Sequence, residues 1–327
     1  MAARRAGGGG EEGSIPGLFQ DLDELNHAIS GSELELIQLE PGGLAVLALS
    51  FDIDGLSVDR GSINRNLRVR GGLDKERFSL GIFHPGARAR LNGIAVDPSA
   101  ALFMTPGLEL DGHLSDGYGW TSLVIPAAWI ETLALTARDP GFLGWNTGCR
   151  GLRPDPGRLH DLFVASEVLV GSRSRADPCE EGEAEICLNL RNALGALLSE
   201  FDASDQKAVC GTLSQYRTAR RAERYLRERG SETVSVDALC ADLQVSRRYL
   251  EYAFRDAFGT SPSRYSRLLR LHHVRRRLRS RGAATTVTSA AMDHGFTHLG
   301  WFSMQYRALF GESPSVTLSR QETPRPS

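Results

Sequence analysis

GFTHLGWFSMQYRALFGESPS, Gly295 to Ser315, is the stretch that decides how this chain is read. Phe302, Tyr306 and Phe310 fall at i, i+4 and i+8, so one face of a helix carries three aromatics toward a core. Thr297 stands where an N-cap is expected. Gly311 stops the helix, because glycine takes a left-handed φ without strain. Ser313-Pro314 then turns the chain away, since proline cannot extend the helix it follows. His298, Leu299, Gly300, Ser303, Met304 and Arg307 are left on the other face, free to meet a groove.

A paler copy lies upstream in QVSRRYLEYAFRDAFGTSPS, Gln244 to Ser263. Arg255, Phe258, Gly259, Ser261, Pro262 and Ser263 recur 52 positions later as Arg307, Phe310, Gly311, Ser313, Pro314 and Ser315. Short helices, VDALCADL and TVTSAAMDH, precede the two copies, which gives a helix, a tight turn and a second helix twice, at about 236–258 and 287–310. That is the helix-turn-helix plan, whose second helix lies in the DNA major groove while the first braces it. In the earlier copy Leu250, Phe254 and Phe258 point inward, Ser246 caps the helix, and Arg247, Arg248, Glu251, Tyr252 and Arg255 are left outside. Arginine reads guanine bidentately, glutamate accepts from cytosine, and tyrosine bonds phosphate or base. The later face is smaller and less charged, so weaker base discrimination is expected there. Between the copies, Pro262 to about Arg281 reads as one helix with Leu268, Leu271, Val274 and Leu278 inward. At 1.5 Å per residue it spans roughly 30 Å, close to the roughly 34 Å between successive major-groove faces. The run His272 to Arg277 on it reads as a solvated face.

Charge divides the chain in the same way. Gly211 to Ser327 holds 20 arginines against 10 acidic residues, a balance of +10, whereas residues 1–210 hold 18 basic and 30 acidic, a balance of −12. Only the C-terminal third therefore suits a polyanion. Five cysteines without a CxxC pair argue against a disulfide framework and fit a reducing cytoplasm. The first residues lack the apolar core of a secretory signal, and the longest apolar run, Gly43 to Phe51, is too short to span a bilayer, so no membrane partner is expected.

Upstream of the helices, about Glu33 to Ile125, short alternating runs are separated by turn signals such as Pro-Gly-Gly and Asp-Gly. Many short strands favour an antiparallel barrel or sandwich. Three helical stretches follow; in the third, Leu190, Leu194, Leu197 and Leu198 form one apolar face, which either packs on its own strands or dimerises. The expected organisation is α+β: a disordered tail at 1–13, a β-rich domain at 14–202, a linker at 203–212, an all-α domain at 213–320 and a tail at 321–327.

The two helix-turn-helix copies, Arg270-Leu271 on the spacer, and Gly295-Phe296, Phe302, Tyr306-Arg307, Phe310-Gly311 and Ser313-Pro314 resemble the DNA-binding domain of AraC/XylS-type transcription regulators. His298-Leu299-Gly300 after Gly295-Phe296-Thr297 is similar to the branch containing the ethanolamine-utilisation operon activator, and LRVRGGLDKERFSLGIFHPGARA resembles it more loosely. The resemblance implies a cupin-like antiparallel β-barrel that senses a small-molecule effector or dimerises, followed by a domain for double-stranded DNA. It also implies a cytoplasmic bacterial activator, a homodimer found at the nucleoid when bound, with RNA polymerase as a further partner and no cofactor. One departure stands out: Gln244 occupies a position the family commonly fills with glycine. A positive φ there costs about 1 kcal/mol.

Phe51, Phe78, Phe83, Phe103 and Trp120 are the candidate effector-lining residues, although aromatics in strands are more often core. An enzyme fused to a DNA-binding domain is the weaker alternative. A metal cupin needs clustered histidines and a carboxylate, and His84 and His113 stand isolated, so no metal and no catalytic residues are expected. A regulator controlled by a protein partner, without an effector, is the second alternative.

Overall fold

The computed structural model describes residues 17–19, 22, 25, 33–136, 148–173, 180–200, 213–230, 234–280 and 285–320. The expected tails and the 203–212 linker lie outside the described residues. Twelve described strands run β1 Gly17–Phe19, β2 Glu33–Gln38, β3 Val46–Ile53, β4 Leu56–Ile63, β5 Leu67–Gly72 and β6 Arg77–Phe83, then β7 Ala89–Leu91, β8 Ile94–Val96, β9 Ala101–Met104, β10 Glu109–Leu114, β11 Gly119–Pro126 and β12 Cys149–Leu152. They form a seven-stranded sheet, β1-β3-β4-β11-β6-β9-β12, and a five-stranded sheet, β2-β5-β10-β7-β8.

The sheets face each other without closing, so the expected barrel is corrected to a two-sheet sandwich. Helices explain the difference. Helix α1, Ala127–Thr136, α2, Pro156–Arg173, and α3, Glu180–Leu198, cover the outer face of the large sheet, which is therefore buried on both sides. Along β4, β6, β9 and β11 one set of side chains (Val58, Leu80, Phe103, Leu123) packs under these helices. The alternate set (Ile63, Phe83, Leu102, Met104) faces the small sheet. Leu190, Leu194, Leu197 and Leu198 are fully buried against the large sheet, which settles their face as internal packing. Asp54-Gly55, with φ of 49° and 75°, makes the expected tight hairpin between β3 and β4. Pro41-Gly42-Gly43 does not make a hairpin; it carries the chain from β2 in the small sheet to β3 in the large one.

The C-terminal region is helical: α4 Leu213–Glu228, α5 Val236–Leu243, α6 Arg247–Phe258, α7 Pro262–Arg279, α8 Val287–Asp293, α9 Leu299–Phe310 and α10 Pro314–Ser319. Leu268, Leu271, Val274 and Leu278 are buried along α7 as the pattern required. Gly259 and Gly311 end α6 and α9 with φ of 68° and 76°. Pro314 opens a further helix with Ser313 as its cap, where a simple turn was expected.

This helical region rests on the outer face of the small sheet. Ile37 and Leu39 join its core. Arg68 on β5, fully buried, bonds Asp111 of β10 and Glu223 of α4, each at 2.6 Å, and its guanidinium lies 4.4 Å from the centre of the Phe258 ring. Burial alone would raise the Glu223 carboxyl, yet Arg68, Arg227 and the Tyr265 hydroxyl hold it at about 2. The backbone N–H of Gln38 donates to His272 Nε2 at 3.0 Å. His272 is thus buried at the domain contact, and the expected solvated run from His272 to Arg277 is corrected: Val274 is buried too, His273 and Arg275 are half-buried, and Arg276 and Arg277 are exposed. Burial removes water from the His272 imidazole and lowers its pKa to about 3.

Candidate nucleic-acid interface and ligand cavity

Both candidate reading helices bury one face completely. On α6 these are Leu250, Ala253, Phe254, Ala257 and Phe258; on α9 they are Phe302, Tyr306, Leu309 and Phe310. The opposite faces stay in solvent. Arg247, Arg248, Tyr252 and Arg255 are exposed on α6, with Glu251 half-buried; Gly300, Met304 and Arg307 are exposed on α9, with Ser303 half-buried. Tyr252 and Met304 keep 58% and 62% of their surface, too much for core residues. His298 is exposed just before α9, and Leu299 is half-buried because it also packs on the helical core. Arg247 reaches Asp237 at 3.5 Å and Arg255 reaches Glu251 at 3.9 Å. Exposed pairs of this kind are worth a few tenths of a kcal/mol and leave the arginines free to exchange partners.

The two turns differ in length. Both short helices start at a capped position, Ser235 and Thr286, but α6 is capped by Ser246, whose Oγ accepts from the Tyr249 N–H, whereas α9 starts after His298 without a side-chain cap. Thr297 is therefore not the N-cap; the second turn holds five residues, 294–298, against three, 244–246, in the first. Its left-handed residue is Gly295, φ 73°, while the first turn uses Gln244 at φ 54°. The strain expected at Gln244 is present. Arg270 of α7 clamps the second turn, donating to the Gly295 carbonyl at 3.1 Å with its guanidinium 4.9 Å from the Phe296 ring centre.

Trp301, 46% exposed on α9 with Arg267 packed over its ring at 5.4 Å, belongs to the same surface. Sequence periodicity does not mark it, because an aromatic directly before the inward Phe302 carries no signal of its own for either face.

Between the two sheets lies a second candidate site, a cavity of about 120 Å³. Phe83 and Trp120 line it, whereas Phe51, Phe78 and Phe103 point from the other face of the large sheet into the helix-covered core. For those three the expectation is corrected: strand alternation places them one residue out of phase with the cavity. Unforeseen lining residues include Asp59, Ser79, Tyr118 and Ser122. His84 bonds Thr121 Oγ1 at 2.9 Å, and His113 is buried beside Gly259, its pKa lowered to about 4 by burial and then by Arg68 and Arg90. Among the described residues no cluster of three or more His, Cys, Asp or Glu could hold a metal ion.

Residues 239–320 match a model described as a helix-turn-helix domain. The chain is 36% identical over 103 residues to XylDLEGF operon transcriptional activator 1 of Pseudomonas putida, covering 31% of each chain. It is 34% identical over 95 residues to a probable thc operon regulatory protein of Rhodococcus erythropolis, covering 29% of each. A crystal structure of a probable AraC family transcriptional regulator from Rhodopseudomonas palustris CGA009 shares 35% identity over 32% of this chain and 97% of that one, with a TM-score of 0.31. The chain thus spans under a third of the length of these curated relatives. They regulate the XylDLEGF and thc operons by name, so the finer likeness to ethanolamine-utilisation activators is not what they support. Over residues 239–320 the C-terminal third of this chain is a helix-turn-helix region, similar in sequence to the corresponding part of these transcription regulators.

Proposed function

We propose that the whole chain is a sequence-specific DNA-binding transcription regulator whose β-sandwich, cupin-like in its facing antiparallel sheets, senses a small molecule. The observation that carries the DNA reading is the pair of helices α6 and α9, both packed along α7, each with a fully buried face and an exposed one. Helix α7 has 18 residues, about 27 Å at 1.5 Å per residue, and carries both: Phe254 and Phe258 of α6 pack on its Tyr265, while Trp301 and Phe310 of α9 lie against Arg267 and Arg275. Arg247, Arg248, Tyr252 and Arg255 read bases and phosphates in one major-groove segment; Gly300, Ser303, Met304 and Arg307 approach the next, with Trp301 beside them. The cavity supports the sensing role. Its wall on the small sheet is Leu34, Leu36, Leu67, Val69 and Leu110, and the alternate residues of those strands (Glu35, Arg68, Asp111) hold the helical region. One sheet is thus shared between ligand and reader, which couples them. The β-rich region grips the C-terminal ends of both helices, through Arg90 of β7 and Asp256 at 3.1 Å and through the Gly42 N–H of the β2–β3 connection and the Ala308 carbonyl at 2.8 Å. Their reading faces remain open. Activation through RNA polymerase, dimerisation and a cytoplasmic location complete the reading.

Binding to sheared genomic DNA at physiological salt, followed by sequencing of the retained fragments, tests it. A shared motif of two blocks is expected. Retention without any motif would reduce the binding to phosphate contacts and overturn sequence-specific reading.

A further inference from the structure

We infer that a groove beside α7, between the two reading helices, grips a phosphate of the DNA backbone with Arg267 as its central contact; this rests on the proposed DNA reading. Two consecutive major-groove segments on one side of a duplex are separated by a minor groove. Sugar-phosphate strands must therefore cross between two helices that read those segments. What the protein presents at the crossing belongs to the site as much as the reading faces do.

That surface is concave and basic. Ser263, Ser266, Arg267 and Arg270 stand at i, i+3, i+4 and i+7, one stripe along α7. With the starts of α5 and α6 the stripe lines a groove of about 370 Å³. The groove adjoins both reading helices. Arg247, the first residue of α6 and part of its reading face, stands in the wall, and Arg267 lies over the exposed Trp301 of α9. The lining holds three arginines, Arg247, Arg267 and Arg270, against one carboxylate, Asp237, which is exposed and reaches Arg247 at 3.5 Å.

Charge at the centre of the groove is uncompensated. Among the described residues no carboxylate pairs with Arg267, whose contact is the Trp301 ring. Arg270 is engaged with the second turn, donating to the Gly295 carbonyl at 3.1 Å. Burial, and then the charge of Arg267, lower the Arg270 pKa from its ordinary value. Two like charges thus face one groove, an arrangement that an anion relieves. A phosphodiester suits the donor set, because its oxygens accept from arginine in a fork and from serine singly. An arginine already packed on a ring also loses less side-chain freedom on contact.

The full-length protein is titrated with a duplex recovered from the genomic selection, between about 50 and 200 mM salt, as the parent, Arg267→Gln and Arg267→Lys. Arg267→Gln is expected to weaken binding about tenfold, alike for intact sites and for sites altered in either block. It should also lower the slope of log affinity against log salt by about 1, which Arg267→Lys should restore. A neutral methylphosphonate is then placed at each position between the blocks in turn. One position should weaken the parent and leave Arg267→Gln unaffected, a pairing that a merely structural role does not produce. If Arg267→Gln does not fold, the methylphosphonate scan of the parent decides alone, and no sensitive position between the blocks would overturn the proposal. Unchanged affinity and slope in Arg267→Gln would overturn it too, as would a loss confined to one block, which would make Arg267 a support for α9 through Trp301. Stabilisation of the DNA-free protein by inorganic phosphate, lost in Arg267→Gln while the DNA slope stays the same, would assign the groove to a free anion instead. A parent that selects no motif would sink the DNA reading itself, and the groove with it.

Discussion

Replacing Arg68 by methionine should uncouple the two regions of the chain. Methionine keeps most of the aliphatic bulk over Phe258 but leaves Asp111 and Glu223, both buried, without their shared guanidinium. Removing one member of a buried ion pair costs about 3–5 kcal/mol. The lower end applies here, because Asp111 keeps Arg220 and the Tyr216 hydroxyl, and Glu223 keeps Arg227 and the Tyr265 hydroxyl. A loss of about 3 kcal/mol corresponds to a fall in Tm of about 6–12 °C for units of this size. Because the contact joins β5 and β10 to α4, calorimetry should also resolve two transitions in place of one. Adding Asp111→Asn and Glu223→Gln to the Arg68→Met protein removes the uncompensated charge and should recover most of the loss. A single variant within about 1 kcal/mol of the parent, or a triple variant no better than the single one, would refute the view that this cluster holds the regions together.

Acid should loosen the same contact at another point. His272 accepts from the Gln38 N–H only as the neutral ring, and its pKa when docked, about 3, lies below its ordinary value of 6.5. A base with a depressed folded pKa stabilises the docked form above the ordinary value and loses that contribution as pH falls below it, by about 1.4 kcal/mol per pH unit. Glu35, His273, Arg275 and Arg276 surround the site, so hydrogen exchange of β2 amides should be compared between the parent and His272→Gln. Once the hydroxide-catalysed intrinsic rate is divided out, protection of these amides is expected to be about tenfold lower at pH 5.5 than at pH 7.5 in the parent, with a flatter response in the variant; identical profiles would exclude His272. Gln244→Gly should stabilise the chain by about 1 kcal/mol in denaturant, since φ is 54°; a destabilised variant would mean the Gln244 side chain contributes contacts of its own. Arg248→Ala should cost about 1–3 kcal/mol of DNA affinity and relax preference at one position. Uniform weakening across sequences would instead assign Arg248 to phosphate.

The helical third was legible because helix signals are local. Ser246, Gly259, Pro262 and the i, i+4, i+8 aromatics act within one or two turns, so their positions fix caps and faces directly. The longer second turn was not legible, since Thr297 and His298 can each precede a helix and no side-chain cap marks which one does. Strand pairing is non-local. Nothing near Pro41-Gly42-Gly43 says that β2 and β3 belong to different sheets, and a one-residue phase error puts Phe78 on one side and Phe83 on the other. Arg68, Asp111 and Glu223 were invisible for the same reason: they are far apart in the chain, and each alone reads as an exposed charge.

The most direct measurement is a hydroxyl-radical footprint of the full-length protein on a site recovered from the genomic selection, repeated with Met304→Arg. The account predicts two protected patches on one side of the duplex about one helical turn apart, with Met304→Arg altering base preference in one block alone. A single protected block, or patches on opposite faces, would contradict the two-helix reader built on α6, α7 and α9.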